Sequence, residues 1–418
     1  MNNVIIIGAG PVGLAAAAHL VQKNESFQIL EMGSEVAPSI REWGHVQLFS
    51  PWKFNMDDVA VSLLQETEWM MPDETAHPTG KELIDEYLVP LATLPSIAPH
   101  LRLNTKVVSI SKKGLDKMKD TGREEALYSV YIETNGKTSR LEASHIIDAT
   151  GTWTQPNSIT SSQVWTRTET ELTDSITYGI PNVTTELANT LQNKRVAVVG
   201  GGHSAINSLL SLAEIDGIHL TWILRKPSVE KAYGGESLDA LPKRGLLGRK
   251  IHRLVDAGKV EVMTPFFIDV IEQMDGKISL IGDYAGAETR IESIDHVFAA
   301  TGSRPDFSFL QEVRLDIDSS LESVKAIAPL IDPNVHSCGT VRPHGEKELR
   351  HPDTNFYIVG MKSYGRAPTF LLATGYEQVR SVVAYMTGDE EGAKEVHLKL
   401  PETGVCSGPK REKTTSCC

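Results

Sequence analysis

The chain has 418 residues, 40% of them hydrophobic, and a formal net charge of −13. Such a length supports two or three buried cores, and the acidic balance, without a continuous basic face, excludes a nucleic-acid footprint. No run reaches the roughly 20 apolar residues of a membrane helix. With only Cys338, Cys406, Cys417 and Cys418 and no secretory leader, the expectation is a cytoplasmic protein of a reducing compartment, with neither nucleic acid nor membrane as partner.

Taken in chain order, residues 3–7 predict a buried parallel strand, 11–23 a helix and 27–31 a second strand, which together make a βαβ unit. Residues 101–110, 128–134 and 139–143 read as extended, with a turn at Asn135-Gly136, and 145–149 as another buried strand. The Thr-, Ser- and Asn-rich stretch 152–193 shows little helical periodicity and reads as connector. A second βαβ unit follows: strand 195–199, helix 204–213 and strand 219–224. The basic stretch 243–253 reads as a solvated helix face. A hairpin is expected over 276–281 and 289–294, then strands at 296–300 and 355–359, and a helix over 368–386. The order predicts an α/β fold of two Rossmann-like dinucleotide-binding domains, one inserted into the other. Residues 1–154 and 331–395 form the outer domain, 155–330 the inserted one, and 396–418 a flexible cysteine-containing tail.

Each βαβ unit opens its helix with glycines. Gly8, Gly10, Pro11, Val12 and Gly13 form the first fingerprint; Gly200, Gly202, His203, Ser204 and Ala205 form the second, about 190 residues on. Glycines there make the tight turn and let backbone approach a pyrophosphate, whose charge rests on helix N-terminal amides. Glu31, 18 residues after Gly13, can accept hydrogen bonds from a ribose 2′-hydroxyl and disfavours a 2′-phosphate. Arg225 and Lys226 stand at the matching place, 20 and 21 residues after Ala205, and would pair with a 2′-phosphate; the alternative is surface charge at a strand end. NADPH is therefore expected at the second site and FAD at the first, with electrons passing between them. His203 is read either as a phosphate contact or as a surface histidine, and Ser204 as the better phosphate contact.

Four segments carry a resemblance: the first fingerprint, Asp148-Ala149-Thr150-Gly151, the second fingerprint, and Ala299-Ala300-Thr301-Gly302-Ser303-Arg304-Pro305-Asp306. Over residues 1–390 the chain resembles the flavoprotein group that includes pyridine nucleotide-disulfide reductases and flavin-containing-monooxygenase-like enzymes. The resemblance implies FAD and NADPH as cofactors. It implies that Gly151 and Gly302 end turns beneath the nucleotides, as close-packing glycines or ligand contacts. It also implies that Gly360, with the helix after it, closes over the flavin. Disulfide reductases of the group usually place an acid where Met361 stands, and the linker motif of flavin-containing monooxygenases is not found near residues 153–165.

No cysteine precedes Cys338, which removes the usual internal dithiol relay. Reduced flavin without such a pair reacts with molecular oxygen, so a monooxygenase acting on a small soft heteroatom substrate is the first expectation. The loop 41–52 is similar to the flavin-face loop of monooxygenase-like relatives, with Arg41, His45 and Gln47 as candidates for flavin or substrate contact. The runner-up rests on Cys406, Cys417 and Cys418, a tail that resembles that of mercuric reductase, which suits a thiophilic metal or metalloid. Cys338 could receive such an ion, which makes a metal or thiol reductase. Cys338 also reads as a small buried residue, and the tail as an incidental end. A redox-sensing flavoprotein acting through a partner is the third reading.

Overall fold

The computed structural model describes residues 3–239, 241–334, 341 and 344–398. The chain divides into two compact units. One holds the residues up to Gln155 and returns from Ser303; the other spans Pro156–Gly302.

The first unit is built on a five-stranded parallel sheet in the order Phe356–Ile358, His145–Asp148, Asn3–Ile7, Ser26–Leu30, Leu101–Arg102. Val4 to Ile7 are buried on both faces, which is why the run is continuously β-branched rather than alternating. Each such side chain contributes about 1.5–3 kcal/mol of burial. The helix Pro11–Gln22 starts with proline at its first position and carries Ala15 to Ala18, all fully buried, so it lies close to the sheet. A three-stranded antiparallel sheet, Lys106–Lys112, Tyr128–Thr134 and Lys137–Ala143, is joined at Asn135 and Gly136, both at positive φ (52° and 71°), as the sequence predicts. The extended stretch expected over 101–110 is two strands, broken where Asn104 turns left-handed at φ 50°.

The second unit repeats the plan, with parallel order Val260–Met263, His219–Ile223, Arg195–Val199, His296–Ala299, Ile176–Tyr178. Its antiparallel sheet has three strands, not a hairpin: Phe266–Met274 precedes Lys277–Tyr284 and Ala287–Ile294. Within the polar connector, Thr166 and Thr184 cap two short helices, Arg167–Glu171 and Thr185–Leu191. The basic stretch lies on the helix Pro242–Asp256, but Arg244 does not face water. It is 2% exposed and paired bidentately with Asp239 through two bonds of 2.7 Å. Residues 303–330 belong to the first unit, because Leu310, Val313, Val324 and Ile327 bury themselves in the core that holds Val4 to Ile7. No helix among the described residues is long and apolar enough to cross a membrane.

Candidate functional site

In both parallel sheets the central strand lies between the strand that follows it and one reached by a crossover, and the clefts of such sheets open at the carboxyl ends beside that point. The first fingerprint sits there. Gly8 takes φ +100° and donates its N–H to Leu30 O at 2.8 Å, while Ala149 donates to Ile7 O at 2.9 Å. A Cβ on Gly8 would fall 2.9 Å from Ala149 O, and one on Gly13 only 2.0 Å from Gly8 O. A Cβ on Gly10 would meet nothing within 4 Å. Gly8 therefore serves the turn, Gly13 the close approach of helix to strand, and Gly10 faces open space at the head of a helix with no side-chain cap. Elsewhere Asp57, Thr79, Thr166, Thr184 and Asp389 supply such caps.

The second fingerprint reproduces these relations. Gly200 (φ +139°) donates to Ile223 O at 3.1 Å, and its Cβ would lie 2.3 Å from Ala300 O. Gly202, at the head of the helix His203–Leu212, faces open space with no side-chain cap. Buried Ala205 stands where Gly13 stands in the first unit. The carbonyl of Gly200 also accepts the indole N–H of Trp222 at 2.8 Å, a support from a fully buried side chain that the glycine pattern did not reveal.

Glu31 is 5% exposed at the end of the second strand. Its Oε2 accepts the N–H of Ala9 at 2.8 Å and its Oε1 that of Gly33 at 2.8 Å, so the carboxylate ties the fingerprint turn to the neighbouring strand end. Each oxygen keeps a second lone pair for a hydroxyl donor. Arg225 is exposed and donates to Ser161 O at 3.0 Å; Lys226 lays its stem against Gly201 and donates to Lys231 O at 2.7 Å. The His203 imidazole, held neutral by burial and by the nearby Arg244 and Lys226 cations, has its pKa pushed down to about 4. Ser204 lies in the first turn of the same helix.

The Ala-Thr-Gly turns end the strands His145–Asp148 and His296–Ala299. Gly151 (φ +70°) and Gly302 (φ +79°) are both left-handed; a Cβ on Gly151 would meet nothing, and one on Gly302 only Asn157 Nδ2 at 3.6 Å. Backbone conformation, not close packing, requires glycine there. On the far edge of the first sheet, Gly360 (φ +69°) follows the strand Phe356–Ile358, and the helix Leu372–Met386 returns beside it. Val12 fills the space in front of both Gly360 and Gly375, where added Cβ atoms would approach it to 3.2 and 2.6 Å. Gln378 accepts the Gly360 N–H at 2.7 Å, and the buried hydroxyl of Thr369, just before the helix, has no hydrogen-bond partner among the described residues.

Arg41, His45 and Gln47 are exposed. Arg41 pairs with Glu35 at 3.0 Å and Gln47 donates to His77 O at 3.1 Å, while Trp43 packs on Gly80 and lies 6.4 Å from Trp153. The structure brings the fingerprint, Glu31 and Gly151 to the carboxyl ends of adjacent strands of the first sheet, and the second fingerprint, Arg225 and Gly302 to the corresponding strand ends of the other. Cys338, Cys406, Cys417 and Cys418 lie outside the described residues. Among those described, no group of three or more His, Cys, Asp or Glu side chains is placed to hold a metal ion.

No curated protein matches the chain. Among solved structures, bacillithiol disulfide reductase from Bacillus cereus superposes with a TM-score of 0.69 at 19% identity, covering 93% of this chain and 99% of that one. Kutzneria sp. 744 ornithine N-hydroxylase, whose structure holds reduced FAD, NADP+ and L-ornithine, gives 0.60 at 15% identity over 94% and 100%. Thioredoxin reductase of T. acidophilum gives 0.57 at 17% identity over 94% and 100%. The family pattern for pyridine nucleotide-disulphide oxidoreductases matches residues 5–326. With that match spanning most of its length and both nucleotide cradles in place, the chain belongs to the pyridine nucleotide-disulphide oxidoreductase family.

Proposed function

We propose that the protein is an NADPH-dependent FAD oxidoreductase that oxygenates a small substrate at a soft sulfur, nitrogen or metalloid atom. The observation that carries the oxygenase reading is the absence of cysteine from the first 337 residues, which leaves both nucleotide-binding fingerprints without a dithiol to receive flavin electrons. The first unit fits FAD: Gly10 faces an unfilled space, Gly151 is open, Glu31 has lone pairs for ribose hydroxyls, and the Thr369 hydroxyl is buried without a partner among the described residues. The uncapped start of the helix Leu372–Met386 suits the negative charge of a reduced flavin ring. The second unit fits NADPH, with Gly202 and Ser204 at the pyrophosphate and Arg225 and Lys226 at the 2′-phosphate. FAD supplies two-electron chemistry: hydride from NADPH and dioxygen yield NADP+, water and an oxygenated substrate, with one proton consumed.

A second reading, a reductase of a disulfide or of a thiophilic ion, is favoured by the likeness to bacillithiol disulfide reductase and would use Cys338 and the terminal cysteines. Anaerobic titration with NADPH followed by admission of oxygen separates the two. The oxygenase reading expects bleaching by NADPH and substrate-dependent oxygen uptake. It fails if the reduced flavin is reoxidised only by disulfides or metal ions.

A further inference from the structure

Lys362 and Asp148 are both fully buried and joined at 2.6 Å, though far apart in sequence. A buried ion pair is a poor source of stability, since apolar side chains of similar size usually fold as well or better. Its place in the fold supplies another reason. Asp148 ends the strand His145–Asp148, next to the central one, and its Oδ1 accepts both the N–H of Thr150 (3.1 Å) and the Thr150 hydroxyl (2.7 Å), which shapes the turn leading to Gly151. The Lys362 ammonium donates to Asp148 Oδ2 and, at 3.2 Å, to Thr150 Oγ1, and it lies 4.4 Å from the centre of the Phe309 ring.

Lys362 itself sits in the one-turn helix Gly360–Tyr364, which is gripped from its other side. Gln378, from the helix Leu372–Met386, accepts the Gly360 N–H and donates to Ser363 Oγ at 2.9 Å, while Ser363 donates to Gly360 O at 2.7 Å. The Lys362 side chain thus holds the Thr150-Gly151 turn to the Gly360 turn, and Gln378 ties that turn to the middle of the following helix. Phe309 adds a fourth segment.

Resting on the FAD reading above, we infer that Lys362 is a positioning residue for the flavin. Its pairing with Asp148 and Thr150 sets the relative placement of the turns that frame the cofactor, rather than the stability of the unit. The test replaces the ion pair by uncharged side chains, Lys362→Met with Asp148→Asn, which keeps an oxygen for the Thr150 N–H and hydroxyl, and separately removes only the bridging hydroxyl with Thr150→Val. The double variant is expected to unfold, as apoprotein, close to the parent's temperature. It should bind FAD at least tenfold more weakly, with altered visible absorption and a shifted midpoint potential of the bound flavin. Thr150→Val should weaken FAD about threefold in the same direction.

A double variant with parental FAD affinity, spectrum and potential overturns the inference. Should that variant not fold, unchanged affinity and spectrum in Thr150→Val do the same. Failure of the parent itself to take up FAD refutes the cofactor assignment first and this inference with it.

Discussion

Gly10 and Gly13 are three residues apart in one fingerprint, yet the structure gives alanine opposite consequences at the two. At Gly13 the new Cβ would stand 2.0 Å from Gly8 O, and opening that contact to an ordinary 3.4 Å moves the helix Pro11–Gln22 back by roughly 1.4 Å. Overpacking of this kind costs about 3 kcal/mol, which for a domain of this size lowers Tm by about 6–12 °C. At Gly10 the backbone is already in an ordinary conformation (φ −80°) and the Cβ meets nothing. Losing glycine at a helix cap costs at most about 1 kcal/mol, offset by about 0.4–1 kcal/mol from the stiffer unfolded chain. The Gly10→Ala apoprotein should therefore melt within about 2 °C of the parent. Its methyl stands where, on the FAD assignment proposed above, a pyrophosphate would come against the helix amides, and one charge-assisted hydrogen bond lost there is about 1.5–3 kcal/mol, ten- to hundredfold in FAD affinity. Thermal denaturation of apoproteins and FAD titration read the two effects apart. Equal Tm losses in both variants, or parental FAD affinity in Gly10→Ala, would refute the division of roles among these glycines.

In the second unit Gly202→Ala is expected to weaken NADPH by a similar factor while leaving FAD binding untouched; a loss of FAD instead would reverse the assignment of nucleotides to units. Arg225→Ala should raise the dissociation constant of NADPH about tenfold and hardly change that of NADH, since in the proposed assignment the guanidinium would pair with a phosphate that NADH lacks; equal losses for both would remove that role. Trp222→Phe leaves the Gly200 carbonyl without its indole donor and should destabilise the second unit by about 2 kcal/mol, with weaker NADPH binding; a parental melting curve would contradict it. Burial in the first unit pushes the pKa of His145 and of His351 down to about 4, from an ordinary 6.5. The unfolded chain then binds these protons at higher pH than the folded one, so stability is whole above about pH 6.5 and is lost as pH falls toward 4, by up to roughly 3 kcal/mol per histidine. Melting of the apoprotein between pH 7 and 4.5 should show this fall, and a His351→Gln variant should show a shallower one; identical slopes would rule out the histidine.

The two dinucleotide cradles and their family were legible in the sequence because their constraints are local. A β-branched run, a left-handed glycine and an uncapped helix start lie within one βαβ unit, and burial and backbone geometry set them wherever the unit is placed. Tertiary structure decided what depends on residues distant in the chain. The partnership of Lys362 with Asp148, the grip of Gln378 on Gly360, the indole of Trp222 beneath Gly200 and the burial of Arg244 against Asp239 leave no periodic trace, because a charged or polar residue looks the same in sequence whether it meets water or a buried partner. The return of residues 303–330 to the first core was hidden for a like reason: short apolar runs without periodicity can be buried against either unit, and only the assembled core selects one.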